Sequence, residues 1–312
     1  MIMPQNVIGV DVAKDWIDAY WPASNTAVRI ETTPASLKRF ARNAAGALIV
    51  FEASGGYERP LVDALEARSA AYVRVNPRQA REFARATGRL AKTDKVDARV
   101  LAEMGAALDL QLTSQPSPEQ RRLADLVARR EDIVTMIGQE KNRLQQATDA
   151  FIRRDLKSLV LVLEGRKGRL DDEIADHIER HAELRRLNAR LRSVPGIGPA
   201  IAPALIAGLP ELGTLDRRKI AALAGLAPHA SDSGQRTGKR RIWGGRANVR
   251  RALYLAAFIA SRCNPELKTY RKRLEENGKC AKAAIIATAR KLLTHINAII
   301  KDDRDYQVRA SA

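Results

Sequence analysis

Along the first third of the chain, short apolar runs alternate with stretches of helical period. Residues 6–12 (NVIGVDV) form a β-rich run, 16–21 (WIDAYW) and 27–31 (AVRIE) read as two further strands, and a turn around 22–25 joins those two. The pattern then predicts a helix over 37–43, a buried strand over 47–51 (ALIVF) and a turn at Gly55 and Gly56. A helix over 61–68, a strand over 71–75 and helix to about residue 107 follow. Three opening strands followed by α-β-α-β-α predict a mixed sheet flanked by helices, an α/β domain.

Pro116 and Pro118 punctuate the chain, and beyond them the period is that of long charged helices. Leu126 and Ile133 lie seven apart, as do Ile137, Leu144 and Phe151, which is a heptad-like seam. GRKG, from Gly165 to Gly168, predicts a break before a second arm carrying Leu170, Ile174, His177, His181, Leu184 and Leu191. Residues 119–192 read as a helical hairpin or coiled-coil arm serving dimerisation, or as a helix pair packed within one monomer. From Ser193 a third section begins, rich in Gly, Pro and Ala, then strongly basic, then helical again to Lys301. The expected organisation is an α/β domain over 1–115, a helical arm over 116–192, a mostly α-helical C-terminal domain over 193–302, and a polar tail over 303–312.

Composition narrows the function. The 312 residues are 45% hydrophobic and 29% charged, a globular balance with length for two domains. Lys and Arg total 54 against 36 Asp and Glu, a formal charge of +18. A surface so basic attracts polyanions, nucleic acids foremost. Cys263 and Cys280 form no CxxC pair, which suits a reducing cytoplasm. No 18-residue apolar run or signal peptide is evident, so a cytoplasmic protein without a membrane segment is expected. HIERH (177–181) has Ile178 where a zinc-protease motif needs Glu, so His177 and His181 are read as part of the helical seam, and His295 as structural. Neither GxxxxGK[ST] nor GxGxxG occurs.

Four carboxylates carry the candidate chemistry. Asp11 closes one apolar strand (VIGVD) and Glu52 another (ALIVFE). A charge in a buried strand is costly without a partner such as a metal ion or a base. Asp94 and Asp97, in KTDKVDAR, stand i, i+3 and share a helix face. Four hard oxygen donors suit a pair of Mg²⁺ ions, and two such ions about 4 Å apart stabilise both attacking and leaving oxygens of a phosphodiester. The competing reading makes Asp11 a turn cap and pairs Asp94 and Asp97 with Lys92, Lys95 or Arg99.

A second candidate segment, 233–251 (SGQRTGKRRIWGGRANVRR), holds seven basic residues and no acid. Arg236, Lys239, Arg240, Arg241, Arg246 and Arg250 are candidates for phosphate contacts. Ser233 opens the segment as a candidate nucleophile or an ordinary turn residue. Trp243 reads as an anchor in the core or a surface on which a base stacks, and His229 as a phosphate-positioning or packing residue. Upstream, Val194 to Ala200 (VPGIGPA) precedes an apolar helix. It reads as a helix-hairpin-helix turn in which Gly196 and Gly198 present amides to DNA phosphates, or as a packing corner.

VIGVDVAK, FEASGGYERPLV, GRLAKTDKVDARVLA, SVPGIGPAIAPALIA and GLAPHASDSGQRTGKRRIWGGRANVRRALY follow one another in that order over residues 6–300. Together they resemble the DEDD transposases of bacterial insertion sequences, relatives of the Piv-type invertases that include bridge-RNA-guided recombinases. The resemblance implies an RNase-H-like, RuvC-like first domain with Asp11, Glu52, Asp94 and Asp97 binding Mg²⁺ (or Mn²⁺). It further implies Ser233 as nucleophile and a phosphoserine–DNA intermediate. Donor and target DNA, a structured guide RNA, and dimers or tetramers joined through the helical arm are also implied. Competing readings are a metal-dependent endonuclease or junction resolvase, a non-catalytic nucleic-acid-binding protein, and an actin-like sugar kinase whose phosphate loops are missing from the sequence.

Overall fold

Val7–Val12 (β1) alternates two kinds of neighbour. Ile8 and Val10 point into one apolar layer and Val7 and Gly9 into another. The strand therefore has to lie at the centre of a sheet covered on both faces. In the computed structural model, which describes residues 6–88, 94–113, 116–229 and 240–307, it does. The chain divides into two units, Met1–Gln115 and Pro116–Ala312.

In the first unit β1 pairs antiparallel with β2 (Trp16–Trp21), which pairs antiparallel with β3 (Thr26–Glu31). On its other side β1 runs parallel to β4 (Leu48–Glu52), and β4 runs parallel to β5 (Tyr72–Val75). The order β3-β2-β1-β4-β5 is a mixed five-stranded sheet, consistent with the RNase-H-like expectation. On one face, Ile8, Val10, Ile17, Ile49 and Phe51 pack against α1 (Pro34–Asn43) and α2 (Arg59–Glu66) through Leu37, Phe40, Leu61 and Leu65. On the other, Val7, Leu48, Val50, Val73 and Val75 meet Ala80 of α3 (Pro77–Ala86) and Leu101 and Met104 of α4 (Asp94–Ala107). Helix α1 begins three residues before its apolar stripe, because Thr33 caps it and Pro34 occupies its first turn.

Helix α4 lies almost on the backbone of β1. A Cβ at Gly9 would collide with the carbonyl oxygen of Ala98 and stand 2.5 Å from the amide nitrogen of Ala102. A Cβ at Gly105 would stand 2.7 Å from methyls of both Val7 and Val50. These contacts also fix direction: Gly105 covers Val7, and Ala98 covers Gly9. Helix α4 thus runs antiparallel to β1, with its first turn toward the end where Asp11 and Glu52 stand.

In the second unit α5 (Pro118–Gln146) and α6 (Ala150–Arg180) form an antiparallel hairpin. Ion pairs Arg122–Glu173, Arg130–Asp171 and Lys141–Glu164 cross it, and Ile133, Ile137 and Leu163 fill its seam. The break expected at Gly165 to Gly168 is absent, since both glycines are helical and the chain reverses at 147–149. Asp149 accepts bonds from the amides of Phe151 and Ile152 and starts α6 there. A glycine costs a helix only about 1 kcal/mol, less than the packing that runs past GRKG. A second interruption, at His181, separates α6 from α7 (Ala182–Arg192).

The base of the hairpin shares its core with α7, α8 (Ile201–Gly208), α9 (Arg217–Leu223) and α10 (Ala247–Cys263), through Leu123, Val127, Ile174, Leu184 and Leu191. Helices α11 (Pro265–Glu276) and α12 (Ala281–Lys301) complete it. Helix α12 is long and apolar enough by composition to cross a membrane, but here it is a core helix with Leu292, Leu293 and Ile296 fully buried. His177 is buried and its Nε2 lies 2.9 Å from the Glu119 carbonyl oxygen, a structural role in the hairpin.

The close approach at Gly9 generates a direct expectation. Gly9→Ala forces α4 off the sheet at a cost of about 1–3 kcal/mol, the usual range for overpacking. Hydrogen exchange checks it: amides of α4 should exchange faster in the variant while those of α1 keep wild-type protection. Unchanged protection in α4 would refute the tight fit.

Candidate carboxylate site and basic surface

The pairing of β1 with β4 ends at Val10 opposite Phe51. Asp11 and Glu52 are the next residues of the two neighbouring parallel strands, so they leave the sheet side by side. Both alternate onto the face covered by α4, because Val10 and Phe51 face the other layer. Both are half-buried, as is Asp97 in the first turns of α4. Asp94 is the first residue of that helix, one turn before Ala98, which overlies Gly9. Strand ends and helix start thus bring the four sequence-predicted positions to one end of one face. Acids in a helix's first turn are favoured by its dipole, by roughly 0.3–1 kcal/mol each.

Arg99 anchors that helix laterally. Its Nε donates to the Tyr20 hydroxyl at 3.2 Å, its Nη2 to Asn25 Oδ1 at 2.7 Å, and its guanidinium lies over the Tyr20 ring at 5.1 Å. The residue weighed as a surface partner for Asp94 and Asp97 therefore clamps α4 to β2.

Two further acids belong to this region and escaped the sequence reading. Asp18 stands directly opposite Asp11 in the β1–β2 register and is buried. Like charges so placed repel, and Arg29 offsets this by donating to both Asp18 oxygens at 2.9 and 2.7 Å while stacking over Trp16 at 4.7 Å. Glu58 is also buried, in the turn that follows Glu52. It accepts from the amides of Ser54 (3.3 Å) and Gly56 (2.8 Å) and from the Ser54 hydroxyl (3.0 Å), with Arg74 at 3.5 Å. Burial pushes the Glu58 carboxyl up, but backbone amides, the Ser54 hydroxyl and Arg74 outweigh it and hold the group below 4.5. Glu58 thereby fixes the SGG turn beside Glu52. The signal for Asp18 was hard to find because Arg29 is remote in sequence, whereas Glu58 has local partners in a segment that reads as an ordinary turn.

Oxygen donors on one face suit a hard divalent cation such as Mg²⁺ or Mn²⁺. Asp11, Glu52 and Asp97 each have an interacting partner. Among the described residues no three acidic, His or Cys side chains enclose a common point, and the Asp94 side chain lies outside those described. The donor chemistry and the shared face fit such an ion.

In the second unit Ser233, Arg236 and Lys239 lie outside the described residues. Arg240 and Arg241 are exposed, the latter on the short ribbon that β7 (Arg241–Ile242) makes with β6 (Pro228–His229). Arg246 and Arg250 have internal partners. Arg246 is bidentate to Glu211 at 2.6 and 2.7 Å and donates to the Gly208 carbonyl at 2.8 Å, while Arg250 donates to the Gly244 carbonyl at 2.6 Å. Trp243 is 55% exposed, so the core-anchor reading is corrected. The backbone of Gly245 fills the space beside it, since a Cβ there would stand 2.5 Å from Gly225 Cα. The VPGIGPA turn joins α7 to α8. Gly196 adopts φ +105 and packs its Cα face against Ala260 of α10, a close approach no larger residue permits, whereas Gly198 faces open space.

Comparison with known proteins gives a consistent result. A family model described as "Transposase" matches residues 8–152, and one described as "Transposase IS116/IS110/IS902 family" matches 188–272. The chain is 29% identical to the pilin gene-inverting protein of Moraxella bovis over 98% of its own length and 99% of that protein. It is 31% identical to an uncharacterized 43.6 kDa protein of insertion element IS110 from Streptomyces coelicolor, over 50% of this chain and 38% of that one.

The Glu58 environment predicts a pH-dependent effect. A carboxyl held below its ordinary value contributes stability that is fully present above about 4.5 and is lost as pH falls through the lower folded value. Glu58→Gln should therefore destabilise the chain by about 1–3 kcal/mol at neutral pH, with a difference from wild type that shrinks below pH 4.5. Urea unfolding at a series of pH values measures it, and a difference independent of pH would contradict the charge-assisted role.

Proposed function

The chain belongs to the IS116/IS110/IS902 transposase family, and from that membership we propose a DNA recombinase that cuts and rejoins strands at donor and target sites. The observation that carries the reading is the exit of Asp11 and Glu52 from neighbouring parallel strands onto the face where α4 starts with Asp94 and Asp97. These four residues would hold Mg²⁺ or Mn²⁺. When bound, the metal supplies Lewis-acid stabilisation of charge developing on a phosphodiester. Full-length similarity to a protein named for inverting a gene segment supports strand exchange over simple degradation.

Ser233 is the proposed nucleophile. Its Oγ forms a bond to phosphorus as the bond from phosphorus to the leaving strand's oxygen breaks, and the serine proton ends on that oxygen. The exchanged strand's hydroxyl then attacks the phosphoserine, re-forms a phosphodiester and returns the proton to the serine. One ester replaces another at each step, so no nucleotide hydrolysis is needed. Arg236, Lys239, Arg240 and Arg241 supply backbone contacts, and the amide of Gly198 offers another. Arg246 and Arg250 shape the loop that bears them. A structured guide RNA selects the sites by base pairing. Copies associate through the α5–α6 hairpin, whose surface exposes Phe151 at 71% and Leu161 at 68%. The reading places this work in the cytoplasm.

The test is a strand-transfer reaction with labelled donor and target duplexes, Mg²⁺ and RNA transcribed from the flanking DNA. Wild type should give a protease-sensitive protein–DNA adduct on a denaturing gel, and Ser233→Ala and Asp11→Ala should each lower it at least a hundredfold, as expected for loss of a nucleophile or metal ligand. Cleavage that survives Ser233→Ala without an adduct would instead identify a metal-dependent nuclease or junction resolvase.

A further inference from the structure

Helix α7 (AELRRLNARLR) buries Leu184 and Leu191 and turns arginines outward. Two of them, one helical turn apart, meet the chain that follows α12, although Arg186 also holds Glu183 of its own helix through Nε at 3.0 Å and Nη2 at 2.7 Å, so that its Nη1 alone reaches the strap. Arg186 binds Asp303, Arg190 Nε reaches Asp303 at 3.2 Å, and Arg190 Nη1 reaches Asp305 at 2.8 Å. The sequence reading had this segment as a featureless polar tail, but residues 302–307 are a strap laid on α7. A left-handed turn at Asp303 (φ +47) leads the chain off the end of α12.

The strap has two parts of different character. Its anchor is Tyr306. The Tyr306 hydroxyl accepts from Asn264 Nδ2 at 2.9 Å and donates to Asn264 Oδ1 at 3.2 Å, and Asn264 is fully buried. The Tyr306 amide donates to Ser193 Oγ at 2.9 Å, at the residue that ends α7 and opens the VPGIGPA turn. The acidic part is open to water: the Asp303 and Asp305 side chains are 51% and 65% exposed. Ion pairs made by carboxylates so open to water are weak and screened, so these contacts can be exchanged while the anchor holds. The guanidinium N–H groups that donate to these carboxylate oxygens can donate to phosphate oxygens in the same way. A polyanion has a further advantage, since each phosphate neutralised by arginine releases condensed counterions.

We infer that Arg186 and Arg190 form a binding site for the phosphodiester backbone of duplex DNA, occupied in the free protein by Asp303 and Asp305 acting as phosphate stand-ins. The inference rests on the DNA-binding reading above and adds a second contact surface with a built-in competitor. The strap exposes the site when DNA arrives and covers two cations when it does not. Its Tyr306 anchor keeps it beside the turn preceding α8, so the acids return when DNA leaves. The Arg186 and Arg190 guanidinium groups in turn hold the Asp303 carboxyl below its ordinary value, as expected of direct contacts to both.

Fluorescence anisotropy with a labelled duplex over a salt series tests this on the full chain. Asp303→Asn with Asp305→Asn should tighten binding on the order of tenfold at low salt. Adding Arg186→Ala and Arg190→Ala should abolish that gain and lower the slope of log K against log salt by about 1.8, the value for two lost phosphate contacts. An acid-neutral pair that binds as wild type does overturns the inference and leaves the DNA-binding reading standing. A gain that persists without the arginines is a general charge effect and also overturns it, as does a gain confined to RNA. If the acid-neutral pair unfolds, Tyr306→Phe loosens the anchor with both acids intact. Tighter binding there supports the competitor, and unchanged affinity overturns it. Wild type that binds no duplex at low salt overturns this inference and the DNA-binding reading together.

Discussion

The carboxylate face depends on a helix backbone lying directly on a strand backbone. At Gly9 there is no room for a side chain, because the Ala98 carbonyl of α4 occupies the position a Cβ would take. Four small residues make the approach: Gly9 on the strand, and Ala98, Ala102 and Gly105 on the helix. Such packing fixes the rotation of α4 about its axis, since turning it by one residue would bring Leu101 to the place Ala102 holds against Gly9. It also sets which end of the helix meets which end of the sheet. Asp97 can stand near the ends of β1 and β4 only because Gly105 stands over Val7 and Val50 at the other. The glycine in VIGVDV is thus as consequential for the site's geometry as the aspartate two residues later.

Much of this was legible in the sequence, and the reasons differ from element to element. The apolar runs before Asp11 and Glu52 marked strands buried on both faces, and the i, i+3 spacing marked Asp94 and Asp97 as sharing a helix face. Asp18 was invisible because its charge is offset by Arg29, eleven residues away, and nothing local in WIDAYW announces that. Glu58 had local partners in Ser54 and Gly56, but SGG reads as a plain turn until the carboxyl that binds it is in place. The hairpin reversal was misplaced for a composition-driven reason. GRKG looks like a breaker, yet Lys167 pairs with Asp171 one turn on and Leu163 packs against α5, so the helix continues through it. The true reversal carries its signal in one residue, Asp149, whose capping role appears only with the helix in place.

The basic surface shows why a net charge of +18 is a poor guide to binding sites. Arg246 lies in the most basic stretch of the chain, yet Glu211 holds it bidentately, and its work is to fasten the segment before α10 to the end of α8. Arg250 is likewise spent on the Gly244 carbonyl, closing the glycine turn next to Trp243. Counting arginines by sequence window gives these two the same weight as Arg240 and Arg241, which face solvent. Only their partners in the folded chain separate cations that build the loop from cations that face solvent and can meet a phosphate.

The strap over α7 extends that distinction to a third class: cations that are paired but exchangeable. An ion pair commits an arginine in proportion to how deeply and how directionally it is made. Arg246–Glu211 is bidentate, tied to a carbonyl as well, and made to a sheltered carboxylate, so removing Glu211 leaves a part-buried cation uncompensated. The partners of Arg186 and Arg190 on the strap are different: Asp303 and Asp305 are more than half exposed, where screening keeps each pair weak and where a phosphate can take the carboxylate's place. What makes the exposed pairs persist is the neighbouring anchor. Tyr306 holds the acids at a high local concentration beside α7, so weak contacts stay formed until a polyanion of greater charge density takes their place.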